Sequence, residues 1–336
     1  MKIKRMNLKI CVIIPCYKVK NHVLKVIGDI PPHIHKIYII DDCCPEQSGN
    51  FVRDNCTDPR VTLCHNKTNL GVGGAVKVGY KLALEDKCHI AIKIDGDGQM
   101  NPALINEFLT PLLHNKVIYT KGNRFFQLNY LQSMPKVRIF GNSALSFITK
   151  LSTGNWNLMD PTNGYTAIRC DILKYLNLDT IDNRFFFETD VLFQLGLLRA
   201  KIVDIPLHSN YGAEISNLSI GKSFLTFSVK HIKLFFKRIA INYFLRDFNA
   251  GSVLLLLGVV FSTLVVSTGI PLWIHNAEQA IFTPTGTVIK FLLFTILGIG
   301  GILGWLIYDA AIMHKSVIED LLIDYKEKFN IDIHHD

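Results

Sequence analysis

Two stretches of this 336-residue chain carry no charged side chain: Phe248 to Ala277, thirty residues, and Phe291 to Tyr308, eighteen. At 1.5 Å per residue, about 20 apolar residues cross a hydrocarbon core. Both stretches therefore predict transmembrane helices, the second extended a few residues past its flanks; a pair of buried core helices is the competing reading. They also account for a composition that is 49% hydrophobic and 19% charged, with a mean hydropathy of +0.24. That composition excludes a collagen-like or disordered chain and a disulfide-stapled mini-protein.

Charge is unevenly divided. Lys and Arg number 36 against 28 Asp and Glu, a net +8, yet residues 251–336 hold 4 basic against 8 acidic residues, which leaves 32 against 20 before them. Lys222, Lys230, Lys233, Lys237, Arg238 and Arg246 crowd the approach to the first span, whereas Glu278 and Lys290 lie between the spans. By the positive-inside rule, the large N-terminal part and the C-terminal tail are expected on the cytoplasmic side of an integral membrane protein. The apolar run that follows Lys2, Lys4, Arg5 and Lys9 stops at Pro15, too short for the core of a secretory signal. The eight cysteines all precede residue 171 and form no C-x-x-C pair. They are expected as reduced thiols packed as small apolar residues rather than as a zinc site or disulfide framework.

Before the spans, short β-branched runs alternate with helical patterns. Ile10–Ile14, Lys36–Ile40, Val61–Leu63 and Ile90–Ile94 read as continuous apolar strands of the buried, parallel kind, separated by segments long enough for crossover helices. The expected fold is α/β, Rossmann-like, with a mostly parallel sheet. Residues 1–220 are read as one cytoplasmic domain, because no polar or Gly/Ser linker divides it. Residues 221–247 follow as an amphipathic basic helix suited to an anionic bilayer surface. Residues 248–313 hold the two spans and a short external loop, and 314–336 a cytoplasmic tail. Basic charge so close to membrane spans argues against nucleic acid as the partner. Gly298, Gly300, Gly301 and Gly304 in the second span would allow close packing either on the first span or between subunits of a homo-oligomer.

In such sheets ligands gather beyond the carboxyl ends of the strands. Here those ends are Pro15-Cys16-Tyr17-Lys18, Asp41-Asp42-Cys43-Cys44, His65-Asn66 and Asp95-Gly96-Asp97-Gly98-Gln99. Two carboxylates and an amide oxygen on alternate residues, with glycines between them, suit a hard divalent cation such as Mg²⁺ or Mn²⁺ that keeps positions open for a diphosphate. An EF-hand does not fit, since position 106 is Asn and no helix precedes the loop. A metal-free polar turn is the plainer alternative. Gly71-Val72-Gly73-Gly74 falls short of a dinucleotide loop, because position 76 is Val, and Gly221-Lys222-Ser223 falls short of a P-loop, because the required earlier glycine is Ser216. Even so, the Asn69–Ala75 turn opens a helix whose backbone N–H groups suit an anion or a close-lying nucleotide, a plain tight turn being the alternative.

Taken together, residues Ile10 to Arg246 resemble the family 2 glycosyltransferases of the GT-A fold. The resemblance is closest to the branch similar to dolichyl-phosphate mannose synthase, whose membrane-tethered members carry comparable C-terminal spans. It rests on Pro15-Cys16-Tyr17 and Asp41-Asp42, on the glycine turn with Lys77, and on Asp95, Asp97 and Gln99. Gly122-Asn123-Arg124, Arg138 after Met134-Pro135, and Asp160-Pro161-Thr162-Asn163-Gly164-Tyr165-Thr166-Ala167 complete it. The resemblance implies a nucleotide-sugar donor bound by Pro15, Tyr17, Asp41, Asp42, Gly71, Gly74, Lys77 and Asp95. It also implies a divalent metal at Asp95, Asp97 and Gln99, and a polyprenyl-phosphate acceptor. The leaving diphosphate would be met by Arg124, with Arg138 nearby. The usual Gly-Ser after Asp-Asp is Cys43-Cys44 here, a departure at the base contact. Asp190, in Phe187-Glu188-Thr189-Asp190, stands where relatives that glycosylate hydroxyls keep a base; orienting Arg124 or Arg138 is its competing role. A phosphate monoester needs no such base, its second pKa being about 6. The expected reaction is thus one inverting displacement onto a lipid phosphate. Transfer to a glycan hydroxyl and a non-enzymatic nucleotide-sugar-binding membrane scaffold are the alternatives. Tyr211-Gly212-Ala213-Glu214 is read either as a lid over the site or as an ordinary surface loop.

Overall fold

The computed structural model describes residues 8–114, 117–126, 136–207 and 220–312. The side chain of Arg138, the Tyr211–Glu214 segment and the C-terminal tail fall outside the described set. The described residues form two compact units, one ending at Ile232 and one beginning at Lys233.

The first unit is built on seven strands: β1 (Ile10–Cys16), β2 (Lys36–Asp41), β3 (Val61–His65), β4 (Ile90–Lys93), β5 (Tyr119–Asn123), β6 (Thr166–Arg169) and β7 (Ile202–Pro206). Their order in the sheet is β3-β2-β1-β4-β6-β5-β7. The pairs β1–β2, β1–β4, β2–β3 and β5–β7 are parallel, and β6 runs antiparallel to both neighbours. The four strands expected from apolar runs are the parallel half. Side chains alternate across each strand, so Ile10, Val12 and Ile14 face one core with Val23, Ile27 and Phe108, while Cys11 and Ile13 face another with Ala75, Val76 and Tyr80. The helices α1 (Val23–Gly28), α2 (Ser48–Asn55), α3 (Val72–Glu85) and α4 (Ile105–His114) supply these covers. Helix α3 lies close on the sheet because of Gly79, where a Cβ would sit 2.3 Å from Ile13 Cγ2.

Register levels the strand ends. Cys16 pairs with Asp41, Asp41 with His65, and Ile13 with Lys93. Strand β2 lies on one side of β1 and β4 on the other, so the strand order reverses between β1 and β4, the place at the carboxyl edge where open α/β sheets form their ligand crevice. Three more helices complete the unit: α5 (Lys136–Thr153), α6 (Phe187–Leu197) and the first part of α7 (Ile220–Ile239). All eight cysteines are free. Along α7 the exposed apolar residues Val229, Ile232 and Phe236 fall at helical spacing beside Lys233 and Lys237, as on a helix lying at a bilayer surface.

In the second unit, helices α8 (Ala250–Glu278) and α9 (Thr285–Ile312) are 29 and 28 residues long, with mean hydropathies of 2.4 and 2.1. Only 11% and 17% of their most apolar windows are buried, so they are not core helices, and the pair marks a membrane protein. Helix α8 starts where it does because Asn249 accepts hydrogen bonds from the Gly251 and Ser252 N–H groups while Ser252 Oγ accepts from the Asn249 N–H, a reciprocal cap. It widens into a π-helical turn at Val265–Gly269, just before Pro271, which can donate no backbone hydrogen bond. Near the start of this unit Arg238 is buried against Asp309 of α9 (Nη1 to Oδ1 2.7 Å), and Tyr243 Oη donates to the same carboxylate at 2.6 Å. This satisfies a charge that hydrocarbon would not tolerate alone.

The glycines of α9 divide by face. A Cβ on Gly301 would lie 2.6 Å from Gly258 N, one on Gly298 2.7 Å from Ser262 Oγ, and one on Gly304 3.3 Å from a Leu254 methyl, all on α8; a Cβ on Gly300 meets nothing within 4 Å. The stripe thus packs one span on the other within the chain. Gly301→Leu is expected to lower the unfolding midpoint of the detergent-solubilised protein, at a cost of about 1–3 kcal/mol for overpacking. Gly300→Leu should leave it unchanged, with tryptophan fluorescence as the readout.

Candidate active site

The carboxylates at the end of β2 turn inward to backbone donors. Asp41 accepts from the Cys44 N–H (2.8 Å) and the Gly49 N–H (2.6 Å), which fixes the turn into α2. Gly49 is glycine because a Cβ there would lie 2.5 Å from Asp41 Oδ2. Asp42 accepts from Asn66 Nδ2 (2.8 Å) and from the N–H groups of Leu70 (2.9 Å) and Gly71 (2.7 Å), and so holds the glycine turn at the start of α3. Hydrogen bonds to the charged form of this kind are what make a buried carboxylate tolerable. Cys44 joins the neighbouring turn: its sulfur accepts from the Lys18 N–H at 3.1 Å and lies 3.2 Å from Ser48 Oγ. The cysteine at the departure from the family pattern thus ties the turn after β1 to the turn after β2. Pro15 sits within β1, and Tyr17 is exposed just past its end with Lys18 Nζ 5.7 Å from its ring.

The N–H groups of the glycine turn meet protein acceptors. Gly71 donates to Asp42, and Gly74 donates to Asn183 O at 2.9 Å. A Cβ on Gly73 would lie 2.4 Å from Asp182 O, and Lys77 Nζ donates to Ile181 O at 2.8 Å. Burial lowers the pKa of Lys77 from the usual lysine range.

At the end of β4 lies Lys93, buried to 2% exposure, whose Nζ is 2.7 Å from Asp95 Oδ1. A Cβ on Gly164 would lie 2.2 Å from that nitrogen and 3.2 Å from Asp95 Oδ2, so this glycine of the Asp160–Ala167 segment lets the chain pass over the pair. Asp97 Oδ1 accepts from the Gln99 N–H at 3.0 Å, and Gly98 closes the loop at φ +80°, a conformation that favours glycine. Among the described residues, no group of three or more His, Cys, Asp or Glu side chains is gathered to hold an ion. The side chains of this loop are two carboxylates and an amide, the kind of hard oxygen donors that a divalent cation such as Mg²⁺ takes.

Arg124 is held by Asp160, Nε to Oδ2 and Nη2 to Oδ1 both at 2.7 Å. Burial pushes the Asp160 carboxyl up, but the Arg124 bonds outweigh it and leave the pKa below the ordinary carboxylate value. Lys121 is fully buried beside it, donating to the carbonyls of Met159 (2.7 Å) and Asp160. Asp190, in the first turn of α6, accepts the Asp182 N–H at 2.8 Å. Two residues earlier, Glu188 was overlooked in the sequence. Burial pushes its carboxyl up to about 8, against the pull of Lys93. The signal was its place directly after Phe185-Phe186-Phe187, in the first turn of a helix that is otherwise mostly apolar.

Glu188 also dictates a pH dependence. Its carboxyl keeps its proton to about 8 in the fold and to 4.5 in the free state, so the folded protein binds the extra proton between those values. Its contribution to stability is present at low pH and is lost as pH rises through that interval. The thermal midpoint of the wild type is expected to fall from pH 5 to pH 8. Glu188→Gln should flatten the slope by at least about 2–4 °C, the equivalent of 1 kcal/mol in a domain of this size.

Part of the chain is similar to proteins of known family. Residues 11–176 match the family described as Glycosyl transferase family 2. The undecaprenyl-phosphate mannosyltransferase of Micrococcus luteus is 26% identical over 204 residues, 60% of this chain and 83% of that protein. The UDP-N-acetylglucosamine–dolichyl-phosphate N-acetylglucosaminyltransferase of Methanococcus voltae is 26% identical over 230 residues, 63% of this chain and 91% of that one. Among solved structures, glucosyl-3-phosphoglycerate synthase from Mycobacterium tuberculosis superposes with a TM-score of 0.49 at 16% identity, over 69% of this chain and 80% of that one. Residues 11–176, which hold β1 to β6 and the β1–β4 pair, are thus the part of the chain that is similar to family 2 glycosyltransferases.

Proposed function

We propose that this chain is a membrane-bound inverting glycosyltransferase that moves a sugar from a UDP- or GDP-linked donor to a polyprenyl phosphate such as undecaprenyl or dolichyl phosphate. Its sheet domain and both termini would lie on the cytoplasmic side. One observation carries the reading: relatives matched over the sheet domain are named as transferases onto undecaprenyl and dolichyl phosphate, and this chain runs on into two apolar helices that would keep it beside such a lipid.

The crevice supports the donor half. Tyr17 offers an exposed ring at the mouth, and Asp42 fixes the glycine turn against which base and ribose would rest. The site's own cations are largely matched, Lys93 by Asp95 and Arg124 by Asp160, so a donor diphosphate would bring negative charge that they do not balance. Asp97 and Gln99, with Asp95 shared with Lys93, would hold Mg²⁺ or Mn²⁺, which when bound supplies positive charge for the departing nucleoside diphosphate. Arg124, fixed by its fork on Asp160, presents its guanidinium at the same edge, and Arg138 is assigned to the acceptor side. The nucleophile is the lipid's phosphate oxygen. It is already ionised at neutral pH, so one displacement at the anomeric carbon inverts the sugar without a protein base. That agrees with Asp190, whose carboxylate is engaged with a backbone N–H.

Radiolabelled transfer from a panel of nucleotide sugars to a short polyprenyl phosphate in Mn²⁺ tests the proposal. Asp97→Ala is expected to lower kcat/KM by about 10²–10³, the loss typical of removing electrostatic stabilisation of a leaving group. Asp190→Asn, which keeps an acceptor for the Asp182 N–H, should retain most activity. Its complete inactivation would instead point to transfer onto a hydroxyl, and undiminished transfer by Asp97→Ala would remove the metal from the reaction.

A further inference from the structure

The segment between Ile181 and Phe187 touches both the glycine turn and helix α7. On one side Ile181 O accepts from Lys77 Nζ, Asn183 O accepts from the Gly74 N–H, and Asp182 O passes where a Cβ on Gly73 would be. Beneath it, Asp190 accepts the Asp182 N–H. On the other side the Asp182 carboxylate is paired with Lys230 of α7 and also accepts the Arg184 N–H at 2.7 Å. Phe186 is buried in a socket made by the same helix turn: Lys230 Nζ lies 5.1 Å from its ring centre, and the rings of Phe227 and His231 lie 5.3 and 5.0 Å away. His231 is itself buried and fixed by Ser152 Oγ at 2.8 Å. Hydrogen bonds, an ion pair and ring contacts thus run without a break from Asp42, through the Gly71–Gly74 turn and Asp182, to Lys230.

We infer that residues 181–187 are a strap through which helix α7 sets the position of the glycine turn at the donor crevice, with Lys230 and Asp182 as its positioning residues. Neither touches the reacting atoms. The inference rests on the transfer reaction proposed above for what the crevice binds, but the linkage itself is a property of the fold. The chemistry is suited to the role. Lys230 and Asp182 are each partly exposed, at 35% and 21%, so the pair is weak enough to respond to the surface beside it. Gly71, Gly73 and Gly74 have no side chains with which to hold the strap, and the links across are the Gly74–Asn183 hydrogen bond and that of Lys77 to Ile181 O.

Hydrogen exchange on the full chain in lipid nanodiscs reads the linkage directly, because the amides of Gly74, Asp182 and Arg184 have named acceptors along it. Lys230→Met, which keeps the aliphatic stem, should speed exchange at Asp182, Arg184 and Gly74 by about two- to fivefold, the range of a partly exposed ion pair. Strand β1 should be unaffected. Lys230→Arg should restore wild-type rates, and Asp182→Asn should reproduce the Lys230→Met pattern. Acceleration confined to Asp182 and Arg184, with Gly74 unchanged, or no acceleration at all, overturns the inference. With an active donor in hand, Lys230→Met should raise the donor KM and leave that of the polyprenyl phosphate unchanged; the reverse split also counts against it. If no donor supports transfer, the functional reading fails while the exchange result still decides the strap.

Discussion

A lysine almost closed off from water ends one of the central strands, and much of the surrounding chain is arranged around it. Lys93 ends β4 and is opposed across the sheet by Thr166 of β6, which in turn is opposed by Lys121 of β5. Directly opposed residues share a face, so two buried ammonium groups stand in one row. Each must find negative charge nearby, since an unpaired buried ion costs several kcal/mol. Lys93 takes Asp95, and Lys121 takes backbone carbonyls with Asp204 Oδ1 at 3.8 Å. Gly164 follows, because any side chain there would collide with Lys93 Nζ. The protonated state of Glu188 follows as well. With Asp95 already neutralising Lys93, a further carboxylate in this dry region gains too little to offset its burial.

A second constraint is that a sheet covered on both faces leaves polar groups only its edges. The acidic residues at the strand ends are therefore not simply displayed to a ligand. Asp41 and Asp42 first satisfy backbone N–H groups that the turns would otherwise leave unmatched, as Asp190 does for Asp182. Such carboxylates hold loops at fixed positions, and a loop held in this way can meet a nucleotide without reorganising at each turnover.

The parallel half of the fold was legible because its strands are short runs of Ile and Val, a local property. The spans were legible for the same reason. Strand β6 was not: Thr166–Arg169 is four residues long, contains Arg169, and takes its place from pairing on both sides rather than from its own pattern. The carboxylates at strand ends were found, but their partners were not, because Asp42 reaches Gly71 and Arg124 reaches Asp160 across 29 and 36 residues. The glycine turn illustrates the limit. Its sequence suits an anion, yet the groups placed against it are carbonyls of residues 182 and 183, about 110 positions away in the chain. Cys44 is similar, since only the fold brings the Lys18 N–H to its sulfur.

The distribution of charge separates two tasks that one set of lysines would perform badly. Four basic groups of the sheet domain have close partners: Lys93 and Arg124 carboxylates, Lys121 mainly carbonyls, and Lys77 the Ile181 carbonyl. Lys93 and Arg124, each paired with a carboxylate, attract a distant anion only weakly, because the two charges of a pair nearly cancel at a distance. Lys233 and Lys237 on α7 are exposed to solvent, beside Ile232 and Phe236, which would enter the headgroup layer. Attraction to an anionic surface and to a lipid's phosphate would thus fall to the helix. At the crevice Lys93 and Arg124 are each already paired with a carboxylate, so under the proposed reaction a donor diphosphate would bring negative charge that they do not balance, and that imbalance is the physical reason to expect a divalent cation at Asp97 and Gln99.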